Sequence, residues 1–335
     1  MDVKVFNSEL QQSISPALTI DDRTLTMAFT PEPYNPSAVA DWLVCKACGT
    51  QFPTSDRSAV KTCHICDDPR QFVPLSGQAF TTLAELQKTH RNDITTYAPD
   101  SRLTFITTTP KFAIGERAIL IRTPKGNVLW DCITLLDEGT MARIHELGGL
   151  KAIVISHPHY YTTHVQWARA FKCPVYIAAE DKSWTTMESA HQALLTNTET
   201  DIEGTGALAI KLGGHFPGSL VLLFDGRLFI ADTLVTTPAG LGKWHVDGTG
   251  APREKPPGLN TFSFLWSIPN AIPLSVDELA RMWGILKAYG FEATHGAFLG
   301  MDIEDGLVKQ RVLDSMQIQT RYMGYQKHAF MSERL

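Results

Sequence analysis

Short apolar runs, each followed by a segment with apolar residues at helical spacing, recur along the chain and set its element order. The run Ala152-Ile153-Val154-Ile155 predicts a buried strand, and Val165, Ala168 and Phe171 beyond it share one face of a helix. Ahead of them, strands are expected near 103–107, 117–123 and 127–132, with a Pro124-Lys125-Gly126-Asn127 turn between the last two. A helix carrying Met141, Ile144 and Leu147 stops at Gly148-Gly149. The second half repeats the scheme. Leu208 to Leu212 reads as a strand, and Leu220 to Phe224 and Leu228 to Ile230 flank Asp225-Gly226, a tight-hairpin signal. Ser275 and Glu278 form a capping box ahead of Val276, Leu279, Ala280, Trp283 and Leu286. A terminal helix has Val308, Val312 and Met316 on one face. Strands then a helix, twice over, predict an α/β (α+β) fold with two sheets face to face and helices outside.

The first part of the chain follows other rules. Residues 1–37 hold alternating apolar positions around Leu18-Thr19-Ile20 and Leu25-Thr26-Met27, then Pro31, Pro33 and Pro36. They read as an arm and linker that either adds a hairpin or lies free. Residues 38–78 hold Cys45-x2-Cys48 and Cys63-x2-Cys66, fourteen residues apart, each pair beside turn formers. That is the spacing of a four-cysteine zinc ribbon, a closed structural site that folds a segment too small for its own core. A rubredoxin-like iron site has the same ligands. Cys132 and Cys173 are isolated and read as buried and inert. Residues 79–335 form the main domain, entered through a helix-like Leu83 to His90.

Candidate chemistry concentrates where predicted elements end. His157 and His159 follow the strand at 152–155; His215 stands on the turn Gly213-Gly214-His215-Phe216-Pro217-Gly218; Asp232 ends the strand Leu228-Phe229-Ile230; His295 precedes Gly296. Imidazole is the commonest neutral metal ligand, and a rigid scaffold is where such ligands are held. The order His-x-His, Gly-His, Ala-Asp-Thr, His-Gly resembles the metallo-β-lactamase superfamily over roughly Thr107 to Phe298, with the hairpin Arg117 to Cys132 and its Asp131 similar to that family's opening. The resemblance implies a four-layered αβ/βα sandwich of metallo-β-lactamase type, with the four-cysteine module appended. It also implies that His157, His159 and His215 form a first metal site, that Asp232 bridges two metals, and that His295 closes the second site.

The pattern departs from the family's His-x-His-x-Asp-His: Tyr161 stands at the aspartate and Thr162 at the following histidine. Three readings stay open. One is a single zinc on three histidines with water in the open position. Another is a remodelled site of two ions (zinc, iron or manganese) in which Tyr161 or His164 joins Asp232 and His295; phenolate would suit ferric iron. The third is a degenerate pocket. In the first two, a metal would lower the pKa of bound water from 15.7 to about 7, Asp232 would take its proton, and Tyr161 or His164 would assist. The implied activity is hydrolysis of an acyl bond (ester, thioester or lactone) in a small-molecule substrate. The alternative is a non-catalytic metal-binding or interaction protein. A breaker-rich stretch, Thr236 to Phe264, reads as a loop over the pocket, with His245 in it a candidate acid and Trp266 just beyond it a candidate lining residue. His64, His90, His145, His191 and His328 read as surface residues.

Composition narrows the partners. A 335-residue chain with net charge −5 and pI near 6.1 gives no electrostatic reason to expect nucleic acid. No run is long and apolar enough for a bilayer, and the start Met1-Asp2-Val3-Lys4 is not that of a signal peptide, so a cytoplasmic protein with no membrane partner is expected. Oligomeric state has no sequence signal.

Overall fold

A computed structural model describes residues 30–335. The expected pairing around Leu18 and Leu25 lies outside the described residues. The main domain holds two sheets. One has seven strands in the order Arg91–Thr96, Leu103–Thr109, Arg117–Ile121, Val128–Trp130, Ala152–Val154, Val175–Ala178, Gln192–Leu195. It is antiparallel as far as Val128–Trp130 and parallel thereafter. The other has six strands: Glu199–Asp201, Leu208–Lys211, Leu220–Phe224, Arg227–Phe229, Ala293–His295, Asp302–Glu304. Asp225 sits at φ 47 and Gly226 at φ 71, the paired left-handed conformations that a two-residue hairpin needs.

Period-two alternation sorts the strands' side chains into three cores. Ile119, Ile121, Val128 and Trp130 face Ala209, Leu220, Leu222 and Phe229 between the sheets. Their neighbours Ala118, Leu120 and Leu129 face outward, packed with Trp167, Ala168 and Phe171 of the helix His164–Phe171 and with Ile144 of Glu138–Glu146. On the other flank Ile210, Val221 and Leu228 meet Leu279, Met282, Trp283 and Leu286 of Val276–Leu286, and Val308, Val312 and Met316 of Val308–Tyr322. Three apolar layers between four layers of structure make this the αβ/βα sandwich that the resemblance implied. Each large side chain so buried contributes about 1.5–3 kcal/mol.

The four-cysteine module closes on itself when Leu43–Cys45 pairs antiparallel with Phe80–Thr82, so its last strand lies just beyond the expected boundary at 78. The helix expected over Leu83 to His90 is one turn, Leu83–Leu86, capped by the Thr82 hydroxyl. Within the stretch from Thr236 to Phe264, Val235–Thr236 pairs with Phe262–Ser263, Gly240 O accepts from Arg311, and Pro256–Leu259 lines a cavity with the terminal helix. Its two ends therefore pack against Val308–Tyr322, while 244–253 bonds within itself. His245 is exposed within it.

Candidate metal centre

The strand Ala152–Val154 delivers the first two histidines. Asp131, held at φ 59 after Val128–Trp130, accepts a hydrogen bond from Ser156 N (2.7 Å) and anchors the turn. Pro158 then opens a 3₁₀ turn, Pro158–Tyr160, which folds His159 back beside His157. His215 arrives on a turn only glycine can make. Gly213 and Gly214 sit at φ 68 and 90, and a Cβ on Gly214 would fall 2.9 Å from Leu274 Cδ1 and 3.0 Å from Thr233 Cγ2. Thr233 clasps that turn, donating to Gly213 O (2.9 Å) and accepting from His215 N (3.2 Å). Asp232, the residue before it, enters from the end of Arg227–Phe229.

Four donor atoms converge there: His157 Nε2, His159 Nδ1, His215 Nε2 and Asp232 Oδ2. His159 Nδ1 lies 3.3 Å from His157 Nε2 and 3.2 Å from His215 Nε2. The carboxylate oxygen is 3.3, 3.5 and 3.7 Å from the nitrogens of His157, His159 and His215. Metal–nitrogen and metal–oxygen bonds of about 2.0–2.1 Å at a tetrahedral angle separate ligand atoms by roughly 3.3–3.4 Å. These four residues thus form a group able to hold a metal ion. Outer contacts fix the rings: Ser156 Oγ lies 2.9 Å from His157 Nδ1, and His215 Nδ1–H donates to Leu265 O at 3.3 Å. Burial pushes His159 down to about 4 and His215 well below its ordinary value, so both are neutral, the form that binds metal. Burial opposes ionisation of Asp232, but the imidazoles outweigh it and hold the carboxyl well below the usual range. Asp232 Oδ1 and His159 Nε2 are buried without hydrogen-bond partners.

Three residues expected at the centre have other work. His295 is fully buried, but its Nδ1–H donates to Asp302 Oδ1 (2.8 Å) and its Nε2 accepts from Arg227 (3.1 Å), which occupies both nitrogens. Asp302 in turn takes a two-pronged contact from Arg117 at 2.6 and 3.0 Å. Tyr161 is buried and donates its hydroxyl to Asp181 O at 3.2 Å. His164 donates from Nδ1 to Tyr161 O (2.7 Å) and accepts from Gln192 Nε2 (2.9 Å), and burial drives it down to about 4. Both side chains are engaged in these contacts. His191, expected at the surface, is buried between Cys173 O and Glu32 N. Sequence reasoning missed Asp302, although the register His295↔Asp302 places it directly opposite on the returning strand.

The cysteines form the second centre. Cys45 and Cys66 sulfurs are 3.6 Å apart and those of Cys48 and Cys63 3.5 Å, with no disulfide among them. Metal–sulfur bonds of about 2.3 Å separate tetrahedral sulfurs by about 3.8 Å, so the four thiols fit one ion. Gln78 braces the second knuckle, accepting from Cys63 N (2.7 Å) and donating to Cys63 O (3.2 Å). Cys132 and Cys173 are buried, and burial pushes the Cys173 thiol up to about 12. No helix of the described residues is long and apolar enough to cross a membrane.

No family model matches the chain. Among solved structures, the DIM-1 metallo-β-lactamase superposes with a TM-score of 0.47 at 11% identity, over 69% of this chain and 98% of that one. The FIM-1 metallo-β-lactamase from Pseudomonas aeruginosa, in its mono-zinc form, gives 0.45 at 12%, over 69% and 96%. The uncharacterized protein YmaE of Bacillus subtilis (strain 168) is 33% identical over 280 residues, 82% of this chain and 93% of that protein, and the chain belongs to its family.

Proposed function

We propose that the protein is a metal-dependent hydrolase of an acyl bond (ester, thioester or lactone) in a small molecule, acting from a mononuclear His157–His159–His215–Asp232 centre. The observation that carries this is the convergence of the four donor atoms at tetrahedral spacing, with Asp232 Oδ1 buried beside them and unpaired. When bound, the ion would supply Lewis acidity and, by expanding to a fifth position, would acidify a water. The chain supplies the rest. Ser156 and Leu265 hold the rings of His157 and His215 in the tautomer that presents Nε2, burial keeps His159 and His215 neutral, and Asp232 Oδ1 is a proton acceptor held within the same cluster. Zinc suits the three imidazoles and one carboxylate, and iron or manganese would accept the same set.

One observation favours the second reading, a non-catalytic metal-binding protein. Structural zinc sites are closed by four protein ligands, and all four residues here are buried. Elemental analysis joined to turnover separates the readings. The hydrolase is expected to carry two ions per chain, to cleave members of a panel of aryl esters, thioesters and lactones, and to lose both the activity and one ion in His159→Ala. Two ions per chain with no turnover across the panel would leave the binding reading standing and end the hydrolase.

A further inference from the structure

The four ligands are 0–4% exposed. The four-cysteine module docks against the loops that carry them, at two places. On one flank, Gln51 N donates to Thr162 O (3.0 Å), Thr186 Oγ1 donates to Gln51 O (2.6 Å), and Thr134 Oγ1 donates to Gly49 O (3.1 Å). Thr162 belongs to the turn that carries His159, so the module grips the ligand loop itself.

The other flank is the chain just after Cys66. Pro69 O accepts from Ser267 Oγ and Asn270 Nδ2, both at 2.8 Å. The Arg70 guanidinium, paired with Asp68 at 3.1 Å, lies over three aromatic rings: Phe216 at 4.4 Å, Trp266 at 4.9 Å and Trp184 at 5.7 Å. Phe216 in turn touches His157, His159 and His215, ring to ring, at 5.7, 5.1 and 5.1 Å. A continuous stack therefore runs from the module through Phe216 to the ligands. Beside it a cavity of about 540 Å³ is lined by Gly213, Gly214 and Pro217 of the His215 turn and by Arg70 and Trp266.

We propose that residues 67–71, hung from the thiolate cluster, form a strap across the mouth of the His/Asp centre, and that release of the Arg70 clamp joins this cavity to the ion and admits substrate. The inference rests on the metal centre proposed above. The hold suits a strap that opens. It consists of cation–π faces and two hydrogen bonds to one carbonyl, Asp67 and Pro69 are exposed, and Arg70 Nε is buried without a partner. The cysteine ion is the strap's fixed end, since a module of this size with four thiolate ligands owes its fold to its metal.

The test uses the full chain loaded with two ions and follows their loss to dipicolinate by elemental analysis, which requires no substrate. Wild type should release the His/Asp ion slowly, and Arg70→Ala should release it at least ten-fold faster while keeping the cysteine ion. Ser267→Ala, which removes the hydrogen bond to Pro69 O and the two that Ser267 Oγ accepts from Asn270 but no charge, should accelerate release several-fold and carries the test if Arg70→Ala disturbs the module. Mercurial titration of the four thiols should accelerate it in wild type too. Equal release rates in wild type and both variants would overturn the strap, as would wild-type release too fast to resolve. A chain that binds only the cysteine ion, with His159→Ala unchanged in metal content, would instead overturn the metal centre.

Discussion

Replacing His295 tests whether a buried histidine in a ligand-like motif belongs to the centre or to the scaffold. In the structure it joins Asp302, Arg227 and the rings of Phe229 (5.1 Å, stacked) and Tyr97 (5.3 Å, edge-on). His295→Ala removes a hydrogen bond to a carboxylate, about 1.5–3 kcal/mol, and two aromatic contacts of about 0.5–1.5 kcal/mol each. Asp302 keeps Arg117, and Arg227 keeps Glu304 and Asp100, so neither is stranded. The net expectation is a loss of roughly 3 kcal/mol in urea unfolding. Metal content should stay at two ions per chain, and affinity at the His/Asp centre should change by less than about ten-fold, below the range for losing even a residue that hydrogen-bonds a ligand. A variant with unaltered urea midpoint and one ion fewer would refute the assignment and restore His295 as a ligand.

Two further outcomes follow from the same geometry. Because His164 sits at about 4 in the fold against an ordinary 6.5, the unfolded chain takes its proton first as pH falls. Its stabilisation is therefore whole above pH 6.5 and lost progressively toward pH 4, the gap corresponding to roughly 3 kcal/mol. Urea midpoints of wild type and His164→Gln should converge over that window, and parallel curves would contradict it. Cys48→Ser should lower the metal content by one and expose the module to limited proteolysis near residues 46–66 while the sandwich survives; an intact module with one ion fewer would show that it folds without metal.

Much of this architecture was readable in order along the chain, because each strand's alternation and each turn is a local property. Asp225-Gly226 formed as read, Ser275 Oγ caps Glu278 N while the Glu278 carboxylate turns to Arg281, and Val308, Val312 and Met316 are fully buried. The four-residue cluster was readable for the same reason: each ligand terminates a strand or occupies a glycine turn, and strand ends share one edge of a sandwich. His295 misled because its motif shows where the residue stands in the chain and nothing of which neighbour takes its nitrogens. Asp302, Arg117 and Arg227 are assembled by three strands. Tyr161 and Thr162 appeared as lost ligands. In the fold the Tyr161 hydroxyl reaches Asp181 O, a partner that the local sequence does not show. The strap was invisible for similar reasons, since Pro69 and Arg70 meet Ser267, Asn270 and Trp266 across nearly two hundred residues of chain.

Glu32 lies just ahead of the module and has a consequence for how far that module can travel. Its carboxylate receives Arg169 (2.7 Å), Ser189 (2.9 Å) and Ala190 N (2.7 Å), and its own amide reaches His191 (3.0 Å). On the far side the chain runs through Phe80–Thr82 straight into the first sheet. A body moored at bow and stern cannot drift off as a free domain. Whatever loosens the thiolate cluster is confined to local rearrangement, and the sandwich keeps its companion within reach to be rebuilt when metal returns.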